Sequence, residues 1–233
     1  MPNTTNFNWS TPADTDLVKN GASAIRTLGN SIDTSFVDLK GGTTGQVLKK
    51  TSATDLDFEW GSASSGLTLI STTTIGSAVS TVSLPTSTFT STYDDYLVIV
   101  DFSTTTAVSA GGAIRFKFRV SGTDASTNYN YSGIDAKPTS IASIFASAGT
   151  ANFCGSILSA TPTRYASSIM LQGVALAQET KYQIQSTSMD GGTDRYFSAA
   201  GYHTTATAYD SMSFILDSGT MSGGKIRVYG YAN

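Results

Sequence analysis

Apolar and small residues recur near the start of the chain at alternating steps of three and four: Val18, Gly21, Ile25, Leu28, Ile32, Ser35 and Leu39, with Phe36 beside Ser35 reinforcing the seam. That spacing sets one stripe along a helix, and its heptad form is that of a coiled coil, with Val18, Ile25, Ile32 and Leu39 at a and Gly21, Leu28 and Ser35 at d. A single helix cannot bury such a seam against itself, so the pattern asks for sister copies. β-branched a residues with Leu28 at d favour two strands, whereas Gly21, Gly29 and Ser35 loosen the packing, and the subunit number stays open. The alternative is a helix lying on its own C-terminal domain. Thr11 reads as the N-cap, Pro12 as the first helical residue and Asp14 as a partner of the positive dipole end. Gly41-Gly42 ends the helix, which at about 1.5 Å per residue would be about 40 Å long.

Gln46-Val47-Leu48-Lys49-Lys50 and Leu56-Asp57-Phe58-Glu59-Trp60 flank a polar loop and predict a hairpin, with Leu56, Phe58 and Trp60 on one side. An isolated two-stranded ribbon is marginal, so these side chains also call for cover from other copies. Gly61-Ser62-Ala63-Ser64-Ser65-Gly66 reads as a linker.

Beyond it the period falls to two. Strands are predicted at 67–74, 79–84, 96–102, 114–120, 140–146, 153–158, 168–176, 182–188, 196–202, 212–216 and 225–231. The run Ile114-Arg115-Phe116-Lys117-Phe118-Arg119-Val120 alternates most cleanly, with its basic residues opposite its apolar ones, as in an antiparallel sheet with one solvated face. The expected fold is mainly β: an N-terminal coiled-coil-like helical stalk (1–40), a short β collar and linker (41–66), and a C-terminal antiparallel β-sandwich knob (67–233), jelly-roll-like.

Among 233 residues only 13% are charged and the formal net charge is -3. Without clustered cations the chain is not expected to bind nucleic acid or an anionic membrane surface. No run is long and apolar enough to span a bilayer and the first residues lack the pattern of a secretory signal, so a soluble product folded in the cytoplasm is expected, with no membrane insertion. Cys154, the sole cysteine, lies in an apolar run and reads as a buried, inert thiol.

Catalytic chemistry is sparse. His203, the only histidine, excludes a multi-histidine metal site and reads as a solvent-facing residue at a strand end. Asp94, Asp95, Asp190, Asp194, Asp210 and Asp217 could form carboxylate pairs only if folding sets them at hydrolytic separations. Asp190-Gly191-Gly192-Thr193-Asp194 fits a plain hairpin turn better than a calcium loop, and Gly111-Gly112 and Gly223-Gly224 read as turns. No cofactor, no metal and no enzymatic activity is expected. Sugar recognition, which needs flat aromatic faces and short polar groups, is the positive candidate. Asn128, Tyr129, Asn130 and Tyr131 form the first candidate cluster, Arg195 and Tyr196 the second, and Tyr202-His203 with Tyr209-Asp210 a third. Arg115, Lys117 and Arg119 could meet acidic glycans as a cationic stripe.

Two blocks carry a family resemblance: Asn8-Trp9-Ser10-Thr11-Pro12 leading into Asp14–Ala22 and Ala24–Gly29, and Gly45-Gln46-Val47-Leu48 followed by Trp60. Over about residues 6 to 60 the chain resembles bacteriophage tail-fibre and related virion-appendage proteins. The resemblance implies a particle-attached homotrimer on the virion surface that contacts other virion proteins through its N-terminus and attaches to a host-surface glycan. Val18, Ile25, Leu28, Ile32, Phe36, Leu39, Leu56, Phe58 and Trp60 would make its self-contacts. A short tail fibre or spike fits the length. The alternatives are a head fibre or capsid decoration protein with a purely structural role and, behind both, a depolymerising enzyme.

Overall fold

The computed structural model describes residues 2–63, 66–104, 112–156, 164–190 and 193–231. By compactness the chain divides into two units, Met1–Ser64 and Ser65–Asn233.

In the first unit the helix is shorter than its seam. Helix α1 spans Gly21–Ser35, about 22 Å of rise, between single 3-10 turns at Val18–Asn20 and Val37–Leu39. Thr11 does not cap it. Its amide and hydroxyl both donate to the Pro2 carbonyl, at 2.7 and 3.0 Å, closing a loop in which Asn3 pairs with Ser10. The Asp16 carboxylate then takes the Ala13 amide at 2.7 Å. These local bonds occupy backbone groups that a helix start would otherwise use. Val18 and Leu39 therefore sit on 3-10 turns, which advance three residues per turn, and the heptad register holds only through Ile25, Leu28 and Ile32.

Trp9 folds onto the end of α1: its indole N–H donates to the Ser35 hydroxyl at 3.0 Å, and its ring lies between Phe7 (4.9 Å, stacked) and Phe36 (6.1 Å, edge-on). The hairpin forms as the alternation predicts, β1 (Gln46–Lys50) against β2 (Phe58–Ser62) with Leu48 opposite Trp60. Leu56 is the exception. It sits in the connecting loop at φ +63°, outside the strand that carries Phe58 and Trp60. The Trp60 ring lies where a side chain at Gly42 would be, 2.7 Å from a hypothetical Cβ, so glycine is required there by space as well as by its φ of +82°. No described residue of this unit is buried.

The second unit is mainly β. Its larger sheet has eight strands in the order β3 (Leu67–Ile75), β15 (Met221–Tyr231), β5 (Asp95–Thr104), β11 (Arg164–Gln172), β12 (Thr180–Asp190), β13 (Thr193–His203), β8 (Tyr129–Lys137) and β9 (Ser140–Gly149). The smaller runs β10 (Asn152–Ser156), β6 (Ala113–Val120), β14 (Ser211–Leu216) and β4 (Thr81–Ser83), with the two-residue β7 (Thr123–Asp124) on β6. Every described pairing is antiparallel. This differs from a jelly roll, which divides eight strands into two Greek keys.

One core joins the sheets. Val98, Val100, Ile169, Leu171, Ile184, Ile226 and Val228 come from the larger sheet, and Ile114, Phe116, Phe118, Met212 and Phe214 from the smaller. Phe116 meets Tyr182 of the facing sheet edge-on at 5.4 Å. Each such fully buried side chain contributes about 1.5–3 kcal/mol. Two elements escaped the alternation. Strand β8 carries polar or small residues at most positions after Tyr129, and Gly223-Gly224 lies in a bulge inside β15, not in a turn. A Cβ on Gly224 would fall 1.9 Å from the Asp101 carbonyl oxygen, so the strands close up only around glycine.

Candidate functional site

Folding takes apart the sugar-binding clusters expected from the sequence, because alternate residues of one strand leave on opposite sides. Tyr129 is completely buried. Its hydroxyl accepts the Phe118 amide at 2.7 Å and donates to the Ala125 carbonyl at 3.3 Å, and burial pushes its pKa well up. Asn128, at φ +72°, donates to the Thr205 hydroxyl at 3.0 Å. Asn130 bonds the Asn128 carbonyl and the Ala148 amide, tying β8 to β9 at the bulge in their pairing. Tyr131 is half-buried beside Phe153, and burial raises its pKa against the pull of Arg115. Arg195 is spent on Asp135, with contacts of 3.1 and 2.6 Å. Of these six candidates only Tyr196, 41% exposed, presents a free aromatic surface.

The third cluster separates in the same way. His203 is buried, not solvent-facing: its Nε2 lies 2.8 Å from the Thr127 carbonyl, which can only accept, so Nε2 carries the proton and Nδ1 accepts from the Tyr209 hydroxyl at 3.2 Å. Burial lowers its pKa below the ordinary 6.5. Tyr209 is buried with it, and Asp210 takes the Ser121 amide and the Ser211 hydroxyl. Tyr202 points the other way and is 43% exposed.

The cationic stripe on β6 is largely neutralised. Arg115 forks onto Asp217 at 2.8 and 3.0 Å, and Arg119 lies 2.8 Å from Asp124 while donating to the Gly122 carbonyl. Cys154 is fully buried and its thiol pKa is well raised by desolvation. Strands β12 and β13 pair out to Asp190 opposite Thr193; Gly191 and Gly192, like Gly111, lie outside the described residues. Among the described residues no group of three or more His, Cys, Asp or Glu side chains could hold a metal.

What folding assembles instead is the outward face of the eight-stranded sheet. Register places Lys225, Asp101, Ala166, Thr187, Tyr196, Ala136 and Ile141 in one row across seven strands. The next row is Arg227, Ile99, Ser168, Gln185, Ser198, Ile134 and Ser143. Small residues form a low floor between larger ones. A depression of about 500 Å³ results, bordered by Arg164, Asp101 and Arg227 at one end and Tyr196 at the other, over Ala166, Ser168, Gln185 and Thr187. Tyr196 also borders a second depression of about 460 Å³ beside Lys137, Pro138 and Asp194, and Tyr202 a third of about 480 Å³ that brings it together with Asn130 and Tyr131 of the first cluster, along with Ser132, Lys181 and Ala200.

The one signal that could have found this face is the polar half of each alternation, Lys181, Gln183, Gln185 and Thr187 in β12 above all. In the sequence alone that half is indistinguishable from an ordinary solvated face. Family models, curated proteins and solved structures offer no match to the chain.

Proposed function

We propose that this chain is a structural protein of a bacteriophage particle, a short tail fibre or spike, that self-associates through its first unit and presents its second as a β-sandwich knob for attachment to host-surface glycan. The observation that carries the reading is that no described residue of the first unit is buried, while Ile25 (66%) and Ile32 stand exposed on the stripe of α1 and Val18 (96%) and Leu39 on the 3-10 turns that flank it. A unit of this size without an interior lacks the burial that offsets its chain entropy, and sister copies provide it. The resemblance of residues 6 to 60 to virion-appendage proteins points to three copies, docked on the particle through the N-terminus.

The edges of the larger sheet support the same reading. Strands β3 and β9 carry no charged residue and no proline, and Leu67, Leu69, Ile141 and Phe145 are exposed on them. Free edges are usually guarded by lysine, proline or a bulge; β3 and β9 each carry a bulge but neither of the other guards, and their exposed apolar side chains suit a chain whose edges meet other copies.

On the knob, the exposed Tyr196 and Tyr202 beside serine, threonine and glutamine side chains supply the apolar plane and hydrogen-bonding groups that a sugar needs. Several weak knobs on one particle raise effective concentration, so modest affinity per site suffices. No catalytic role is proposed. Sedimentation equilibrium of the full chain tests the assembly: a mass about three times the 24.3 kDa of one chain supports it, and a well-folded single subunit overturns it. Labelling the protein in imaged particles separates a tail fibre from a head fibre or decoration.

A further inference from the structure

We propose that the depression between Arg164 and Tyr196 holds an anionic saccharide, with carboxylate or phosphate groups at the Arg164–Arg227 end and a sugar ring on Tyr196. This rests on the glycan-binding reading above and narrows it to a ligand class.

Charge sets the polarity of the site. In a chain of formal net charge -3, Arg164, Arg227 and Lys225 gather around a single carboxylate, Asp101, which lies opposite Lys225 in register. Arg164 spends Nε and Nη2 on Asp101, at 3.0 and 2.6 Å, and holds that carboxyl below the usual range. The pair is open to water, the Arg164 side chain being 75% exposed, so the remaining guanidinium donors of Arg164 face outward. Arg227 meets Asp101 through longer-range attraction, which leaves its planar fork to match a pair of anionic oxygens.

Shape and the neutral groups then favour a sugar as the carrier of that charge. Asp101 and Tyr196 are three strands apart in one row, about 14 Å at the usual strand spacing. Between them Ala166 and Ser168 keep the floor low, while Gln185 and Thr187 offer both donors and acceptors to ring hydroxyls. Tyr196 stands as a ridge between this depression and the next, so a chain of sugars can cross its ring and continue. Three cations are too few to hold a nucleic-acid backbone, whose affinity scales with the number of phosphates neutralised.

Calorimetric titration of the full chain with an oligogalacturonate, a glycerol-phosphate oligomer and neutral maltohexaose tests the proposal. The expected result is binding of one anionic probe, at least about tenfold tighter than the neutral one, weakening with salt, and reduced at least about tenfold by Arg227→Gln and by Tyr196→Ala. The two anionic arms distinguish a carboxylate ligand from a phosphate one. Lys117→Gln, on the smaller sheet, is expected to leave binding unchanged; an equal loss there would reduce the effect to general charge and overturn the site. Equal affinity for maltohexaose, or no effect of Arg227→Gln, overturns the anionic assignment and leaves the glycan reading standing. Failure of these probes and of a panel of bacterial envelope polysaccharides to bind at all overturns both.

Discussion

Arg195 and Asp135 meet fork to fork on adjacent strands, Nε to Oδ1 at 3.1 Å and Nη2 to Oδ2 at 2.6 Å, with side chains only 10% and 6% exposed. An arginine expected to touch a receptor is therefore a structural cation. Arg195→Met leaves the Asp135 charge without this partner in a dry site and is expected to cost about 3–5 kcal/mol of stability by chemical denaturation. Arg195→Met combined with Asp135→Leu should recover much of that loss, since the buried carboxylate is removed along with its arginine.

His203 makes stability depend on pH. Its folded-state pKa lies below the ordinary 6.5 because burial penalises the cation. As pH falls below 6.5 the unfolded chain takes up a proton that the folded chain does not, so stability drops toward the folded pKa and is regained above 6.5. The slope is at most about 1.4 kcal/mol per pH unit. Thermal unfolding between neutral pH and the onset of carboxylate titration should show it, and His203→Gln should flatten it.

Tyr129→Phe separates a core role from a receptor role. It strips the acceptor from the buried Phe118 amide and is expected to cost about 1–3 kcal/mol while the proposed glycan binding stays unchanged in the folded protein. Tyr196→Ala should do the reverse, holding stability within about 0.5 kcal/mol because the ring lies on the surface. A stable Tyr129→Phe protein that had lost binding would restore the loop cluster to the site.

Replacing Ile25 and Ile32 by lysine places like charges on the exposed stripe of α1 and is expected to dissociate the proposed assembly in sedimentation experiments, with the larger sheet's circular-dichroism signal preserved. Ile141→Lys guards the β9 edge and should weaken association further. Unchanged mass in the first variant would locate the subunit contacts elsewhere.

Period-two runs make most strands of the larger unit legible in the amino-acid order alone, because the polypeptide pleat forces alternate side chains to opposite faces and the apolar half must leave water. The hairpin around Thr51–Asp57 is legible for the same reason, as is the buried thiol of Cys154. The helix seam is legible too, but not its start, since competition between helix bonds and the loop closed by Thr11 on Pro2 has no periodicity. Strand β8 is hidden because it offers Gly133 and Asp135 where an inward apolar residue would be expected.

Sequence could say that Tyr129 and Tyr131 share a side, and Tyr196 and Tyr202 another; it could not say which side faces the core. That was decided by strand order, which brings Arg164 to Asp101 across 63 positions and Arg195 to Asp135 across 60. Alternation acts within one strand through local stereochemistry. Neighbourhood between strands arises only when hydrophobic burial selects one set of pairings for the whole sheet, and the open face, with Tyr196 at one end of its depression and two arginines at the other, exists at that level alone.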